Sequence, residues 1–186
     1  RGGAQDRWGW LARRGAAVVG QLRVTEASED HLEAITRIYN HAIEHTTSVW
    51  TEEPVDVANR RAWLAGHQDE GYPVIVALDG NEVVGFASLS AFRPWPGYFA
   101  CVENSIYVAP ECAGKGIGTL LLSSLVERAQ PYHTIVAGIE ATNDASIRLH
   151  QKLGFTKVGE FPQVGNKFGR WLDLTFMEKI VDSQRA

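Results

Sequence analysis

The sequence predicts an α/β fold in which one mixed sheet carries helices on both faces. Three observations lead there. Apolar residues alternate or run together in short strand-like stretches, most clearly in the pair joined within "VIVALDGNEVVGF". Between such stretches, apolar residues recur every three or four positions, as Leu32, Ile35, Ile38, Tyr39, Ala42 and Ile43 do. Finally, "CVENSIYVAP" leads through a turn containing Gly114, Gly116 and Gly118 into an unbroken helical pattern.

The elements follow in order. "LRVTEA" (22–27) is a short strand, and Ser28 then caps a helix whose first turn holds Glu29 and Asp30, both suited to its positive end. "EHTTSVWTEEP" (44–54) is a polar connection to a second helix near 55–68, which carries Val57, Arg61, Trp63 and Leu64. Residues 72–92 form a hairpin around Asp79-Gly80-Asn81. "RPWPGY" (93–98) is a proline-pinned loop, and 99–110 is the next strand. After the glycine turn come a helix over 117–130, a strand over 134–141, and a short helix over 143–153 stopped by Gly154. Strands near 155–161 and 170–179 close the chain, with no repeats and no low-complexity segment.

Composition narrows the partners. A chain of 186 residues that is 45% hydrophobic suits one domain with a full core. Residues 21–182 are read as that domain, and residues 1–20 as an N-terminal extension, disordered or artefactual. The net charge is −4 and there is no Lys/Arg run, so neither nucleic acid nor an anionic membrane is expected as a partner. No apolar stretch approaches the roughly 20 residues a bilayer span needs. Two cysteines, Cys101 and Cys112, make no disulfide framework and fit a reducing cytoplasm.

The glycine turn fits neither common phosphate motif. A P-loop needs Ser or Thr directly after Gly-Lys, but Gly116 follows Lys115; the dinucleotide fingerprint needs G-x-G-x-x-G, and these glycines run G-x-G-x-G. What remains is a tight strand-to-helix turn, or a close backbone approach to an anion at a helix start.

"VAPECAGKGIGTLLL" and the downstream "NDASIRLHQKLGF" together resemble the GNAT superfamily of N-acetyltransferases over about residues 22–180. "VENSIYV", "RLHQKLGF" and "IYNHAIEHTTSVW" are similar to its phosphinothricin and methionine sulfoximine acetyltransferase branch. The resemblance implies the GNAT fold, a mixed, mostly antiparallel sheet of six to seven strands. It implies acetyl-CoA as co-substrate, a small amino-acid-like acceptor and a homodimer. It places the cofactor's pantetheine arm along Ile106, Tyr107 and Val108, and its phosphates on Gly114, Lys115, Gly116, Ile117, Gly118 and Thr119. Arg93, Pro94, Trp95, Glu103, Asn104 and Ser105 would line the acceptor pocket. One departure stands out. The residue before the first glycine, usually Arg or Gln, is Ala113 here, so a side-chain contact to the pyrophosphate is lost.

The chemistry needs a base for the amine and a proton for the departing thiolate. Glu103 lies in an otherwise apolar strand, where burial raises a carboxylate toward useful basicity. The resemblance makes it the general base; alternatively it is an edge-strand glutamate facing solvent. Glu103, Ser105 and Tyr107 share one strand face. Asn143, Ser146 and His150 fall at i, i+3 and i+7 on one helix stripe. Asn143 matches the superfamily's cofactor-binding asparagine and also suits a helix cap. His150 stands where many members carry the tyrosine proposed as the acid; alternatively it packs against Glu103 or a backbone carbonyl. Arg93 suits a carboxylate or phosphinate, with Trp95 and Tyr98 as walls, or the loop's aromatics serve a dimer contact. His41 and His45, at i and i+4, have no evident third ligand, so no metal is expected. A protein N-terminal or lysine acetyltransferase, and a non-catalytic acyl-CoA-binding module, are the alternatives.

Overall fold

The computed structural model describes residues 22–181 and has seven strands and four helices in the predicted order. β1 (Leu22–Glu26) leads through a 3-10 turn into α1 (Leu32–His45) and α2 (Val57–Asp69). The hairpin is β2 (Val74–Asp79) and β3 (Glu82–Ala91), followed by β4 (Cys101–Val108), α3 (Ile117–Arg128) and β5 (Thr134–Glu140). α4 (Asp144–Lys152), β6 (Thr156–Lys167) and β7 (Arg170–Ile180) complete it. The extension expected over 1–20, and residues 21 and 182 at the edges of the expected domain, lie outside the described residues.

The sheet order is β1-β2-β3-β4-β5-β7-β6, and every neighbouring pair is antiparallel except β4 and β5. That parallel pair is short. Only Cys101–Glu103 match Thr134–Val136, after which β4 and β5 part company. From Asn104 onward β4 pairs with β3 alone, so its other edge is open.

Two apolar cores lie on opposite faces, as alternation along β2 demonstrates. Ile75 and Ala77 pack with Leu121, Leu122 and Leu125 of α3, whereas Val74, Val76 and Leu78 pack with Ile35 and Ile38 of α1 and Leu64 of α2. Ser28 caps less directly than expected. Its backbone N–H donates to Nδ1 of His31 at 3.0 Å across a 3-10 turn, and α1 proper starts at Leu32. Asp56 starts α2, its Oδ1 accepting the Asn59 N–H at 2.7 Å.

The structure assigns the faces of α2 and corrects the end of one strand. On α2, Arg60 faces the interior, while Arg61 sits outside beside Glu29 at 3.5 Å. The spacing Val57, Arg60, Leu64 is i, i+3, i+7, and that row meets the core. β6 also continues to Lys167 rather than ending near 161. Register shifts between Lys157/Gly159 and Phe161/Gly165 let it absorb Pro162 and still pair with β7. Glycine is required at 165, where a Cβ would overlap the Trp50 ring.

Candidate active site

The glycine turn supplies an anion-ready helix start. Gly114 and Gly116 have φ of 76° and 83°, in the left-handed region, and open space surrounds the position of a Cβ at each. The first backbone bond of α3 runs from the Leu120 N–H to the Gly116 carbonyl at 3.1 Å. The N–H groups of Ile117, Gly118 and Thr119 before it therefore have no helical acceptor. Lys115 is exposed and Thr119 half-buried, so both side chains can reach toward the same space. Ala113 is exposed and adds no donor. The open edge of β4, with Ile106, Tyr107 and Val108, leads toward this helix start. Together these features fit a ligand with an extended amide-bearing arm and a phosphate end.

α4 flanks the same space. Its cap Asn143 accepts the Ser146 N–H at 3.1 Å through Oδ1, leaving the amide nitrogen free to donate. His150 is 3% exposed, with Nδ1 at 2.8 Å from the Ser146 carbonyl and Nε2 at 3.2 Å from the Asn104 amide nitrogen. A carbonyl can only accept, so Nδ1 carries a proton, while Nε2 lies beside both the amide nitrogen and, at 3.3 Å, the amide oxygen of Asn104, accepting from the nitrogen when the ring is neutral. Burial also holds the His150 pKa below its ordinary value. Held this way, the neutral ring carries its proton on Nδ1. The alternative packing partner, a backbone carbonyl, is the one found.

Glu103 is on the other face. The register sets Ser90 opposite Glu103, Ser88 opposite Ser105 and Phe86 opposite Tyr107, so those three β4 side chains share one face as alternation predicts. Asn104, between them, turns its side chain the opposite way and meets His150. The half-buried Glu103 carboxylate lies against Gly138 of β5, just beyond the parting of the strands, with the Gly138 backbone N–H helping to hold it charged. Burial raises its pKa above the usual carboxylate range, while the charge of Arg93 and the Gly138 bond pull the other way. Tyr107 is buried more deeply and its phenol pKa is pushed well up.

The loop after β3 is open. Arg93, Pro94 and Trp95 are all exposed, Trp95 at 70%. The Arg93 guanidinium sits 4.3 Å from the Phe92 ring centroid, and Nη1 donates to the Phe92 carbonyl at 3.0 Å. Cys101 and Cys112 are free, and burial pushes the Cys101 thiol up, away from nucleophilic use. The His41 and His45 rings lie 4.7 Å apart, and no group of three or more His, Cys, Asp or Glu forms among the described residues.

Several residues that border this face carry no motif. Arg60 and Trp63 come from α2, and Tyr39 from α1. Thr47, in the connection after α1, donates to Glu140 Oε2 at 3.0 Å, and Glu140 is buried at the end of β5. Lys167, 1% exposed, donates from Nζ to the carbonyls of Ile43, Thr46 and Val49, the last two at 2.7 Å. The tip of the β6–β7 hairpin is thereby tied to the connection between α1 and α2. Nothing in the sequence around Lys167 signals its burial, whereas Arg60 shares the helical row of Val57 and Leu64.

An open strand edge running to a glycine-rich helix start, with a raised carboxylate across the sheet, is the architecture of an acyltransferase that uses coenzyme A thioesters. The family model described as "Acetyltransferase (GNAT) family" matches residues 35–155, and the chain belongs to that family of N-acetyltransferases. It is 49% identical over 166 residues to an L-methionine sulfoximine/L-methionine sulfone acetyltransferase of Pseudomonas aeruginosa, covering 88% of this chain and 96% of that protein. A phosphinothricin N-acetyltransferase of Streptomyces coelicolor is 39% identical over 164 residues, with 86% and 96% covered. Among solved structures, the acetyltransferase yncA of Salmonella typhimurium with acetyl-CoA superposes with a TM-score of 0.86 at 47% identity, covering 89% of this chain and 96% of that one.

Proposed function

We propose that this N-acetyltransferase moves acetyl from acetyl-CoA directly to the α-amine of a small amino-acid-like acceptor of the methionine sulfoximine or phosphinothricin type. The observation that carries the reading is Glu103, a half-buried carboxylate with a raised pKa at the parting of β4 and β5. That is where a strand-bound thioester and an incoming amine would meet. The printed activities of the Pseudomonas and Streptomyces relatives support the acceptor class.

In this reading the phosphates rest on the N–H groups of Gly114–Thr119, with Lys115 and Thr119 adding side-chain donors and Asn143 and Ser146 bordering the arm. Acetyl-CoA supplies an acyl group already activated as a thioester. Glu103 accepts the ammonium proton, directly or through a water, so that the amine reaches the acyl carbon neutral, and the second proton, shed by the nitrogen as the adduct collapses to the amide, passes to solvent. A backbone N–H on the open edge beyond Glu103 holds the negative charge that develops on the acyl oxygen. Of the residues expected to surround the acceptor, Arg93, Pro94, Trp95, Glu103 and Ser105 keep that assignment, and Asn104 belongs with His150. His150, neutral and bonded through both nitrogens, holds Asn104 in place. The thiolate leaves as an ion and takes its proton from solvent, as a thiol with an ordinary pKa near 8.5 allows.

We place the protein in the cytoplasm as a homodimer that needs no metal. Its free cysteines support a reducing compartment. Among the described residues, no helix is long and apolar enough to cross a membrane. Exposed Trp95, Phe99, Phe161, Val164 and Trp171 support a second copy as the cover of this apolar surface.

The test is a turnover screen that follows thiol release from acetyl-CoA. Release with L-methionine sulfone and phosphinothricin, and none with lysine-bearing or N-terminal peptides, is the expected outcome. Turnover of peptides and not of free amino acids overturns the acceptor class.

A further inference from the structure

Arg60 is a buried charge with no acidic partner. It is 9% exposed, and no carboxylate lies within ion-pair distance of it among the described residues. Its guanidinium packs 4.3 Å from the Tyr39 ring centroid and 5.0 Å from that of Trp63, which fixes its plane. Nε and Nη2 both donate to one neutral atom, Asn59 Oδ1, at 3.1 and 2.6 Å. A desolvated cation held by neutral groups costs stability until an anion joins it.

A cavity of about 120 Å³ stands beside it, lined by Tyr39, Trp63, Phe86, Ser88, Ser105 and Tyr107 together with Arg60 itself. A cavity of that size takes a carboxylate with ordered water beside it. The cavity is on the Glu103 side of the sheet, one side-chain row along β4, about 7 Å away.

We propose that this cavity seats the acceptor's α-carboxylate on Arg60, while exposed Arg93 faces the acceptor's side chain. The inference rests on the reading that the acceptor is an α-amino acid. In such a molecule the carboxylate is attached to the same carbon as the reacting amine. With the amine at Glu103, the carboxylate must lie in an adjacent row, and Ser105 marks the row toward Arg60. Arg93 flanks Glu103 on the opposite, open side. A small site walled by aromatic rings and hydroxyls suits the group that every α-amino acid has in common, and an exposed loop suits the group that varies. Lys167, also buried, is not available because three carbonyls already hold its ammonium.

Steady-state kinetics with L-methionine sulfone and its carboxamide test this in wild type, Arg60→Met and Arg93→Ala. Wild type should favour the acid by at least tenfold in KM. Arg60→Met should raise KM for the acid at least tenfold and leave KM for the carboxamide and for acetyl-CoA within twofold, so the preference disappears. Equal rises for acid and carboxamide would make Arg60 a strut between two aromatic rings and overturn the proposal. So would loss of the preference in Arg93→Ala alone. Should Arg60→Met not fold, Arg60→Lys keeps the charge but not the fork, and it should shrink the preference without abolishing turnover. A wild-type enzyme inactive on every free amino acid would overturn the acceptor class itself, a failure visible before any variant is made.

Discussion

The two faces of the sheet carry two helices each, yet they are built on different principles. On the α3/α4 face the interior is apolar, its buried polar pair Asn104–His150 is closed on itself, and the groups left open are backbone N–H groups. On the α1/α2 face the charged side chains collect: Arg60, Glu140 and Lys167 are buried there, and Glu103 is half-buried. A face that offers backbone donors can accept the same ligand with almost any side chain around it, provided the glycines remain. A face that offers side chains depends on their identity, so selectivity and proton transfer should both sit on the α1/α2 side. The two faces touch only where β4 and β5 part, and reaction between their ligands is confined to that gap.

The strongest way to break this division is Glu103→Gln, which keeps shape and removes basicity. We expect kcat to fall by about 10²–10⁴-fold with acetyl-CoA affinity unchanged. The sign of the pH dependence follows from the raised pKa. Only the deprotonated carboxylate accepts a proton, so wild-type kcat/KM falls as pH drops through a value above the ordinary glutamate range, and the variant loses that limb. Near-wild-type turnover at pH 7 would remove Glu103 from the mechanism.

Gly116→Val attacks the other face. At φ 83° a β-branched residue is strained, and the turn must shift to relieve it. Calorimetric titration should show acetyl-CoA binding weakened at least tenfold, about 1.4 kcal/mol, with the acceptor KM moving far less. Equal effects on both ligands would mean that the faces are not separable.

Lys167→Met probes how the acceptor side is held. Three carbonyls lose their donor, so denaturant unfolding should show a loss of about 1–3 kcal/mol. The connection carrying Thr47 and Trp50 should loosen, raising the acceptor KM severalfold without affecting acetyl-CoA. The smallest effect is a stability gain in Glu103→Gln. A carboxyl whose folded pKa is raised binds protons more readily folded than unfolded, so stability falls as pH rises through that window and the cost persists above it. The variant should therefore melt slightly higher than wild type near pH 8, with the difference vanishing below pH 4.

Much of the cofactor side was legible because its signals are local. Gly114 and Gly116 declare a left-handed backbone within a few residues of the helix they start, and Asn143 declares a cap three residues before the N–H it accepts. Period-two alternation likewise put Glu103, Ser105 and Tyr107 on one face from the sequence alone. The acceptor side was legible only in part. Arg60 and Arg61 are adjacent and chemically identical, and helical spacing distinguishes them only once the row Val57–Leu64 is known to meet the core. Alternation also predicts that Asn104 points away from Glu103, but which partner it finds depends on where α4 is laid, 46 residues later.

The sequence by itself determined the order of strands and helices, the glycine turn and the family, since each rests on contacts or patterns a few residues long. Tertiary structure alone decided that the β4–β5 pairing stops after Glu103, that His150 is seated between the Ser146 carbonyl and the Asn104 amide, and that Lys167 is spent on three carbonyls more than a hundred residues away. Those outcomes turn on burial and on partners brought together from distant segments, and a side chain's charge and hydrogen bonds are fixed only when its neighbours are.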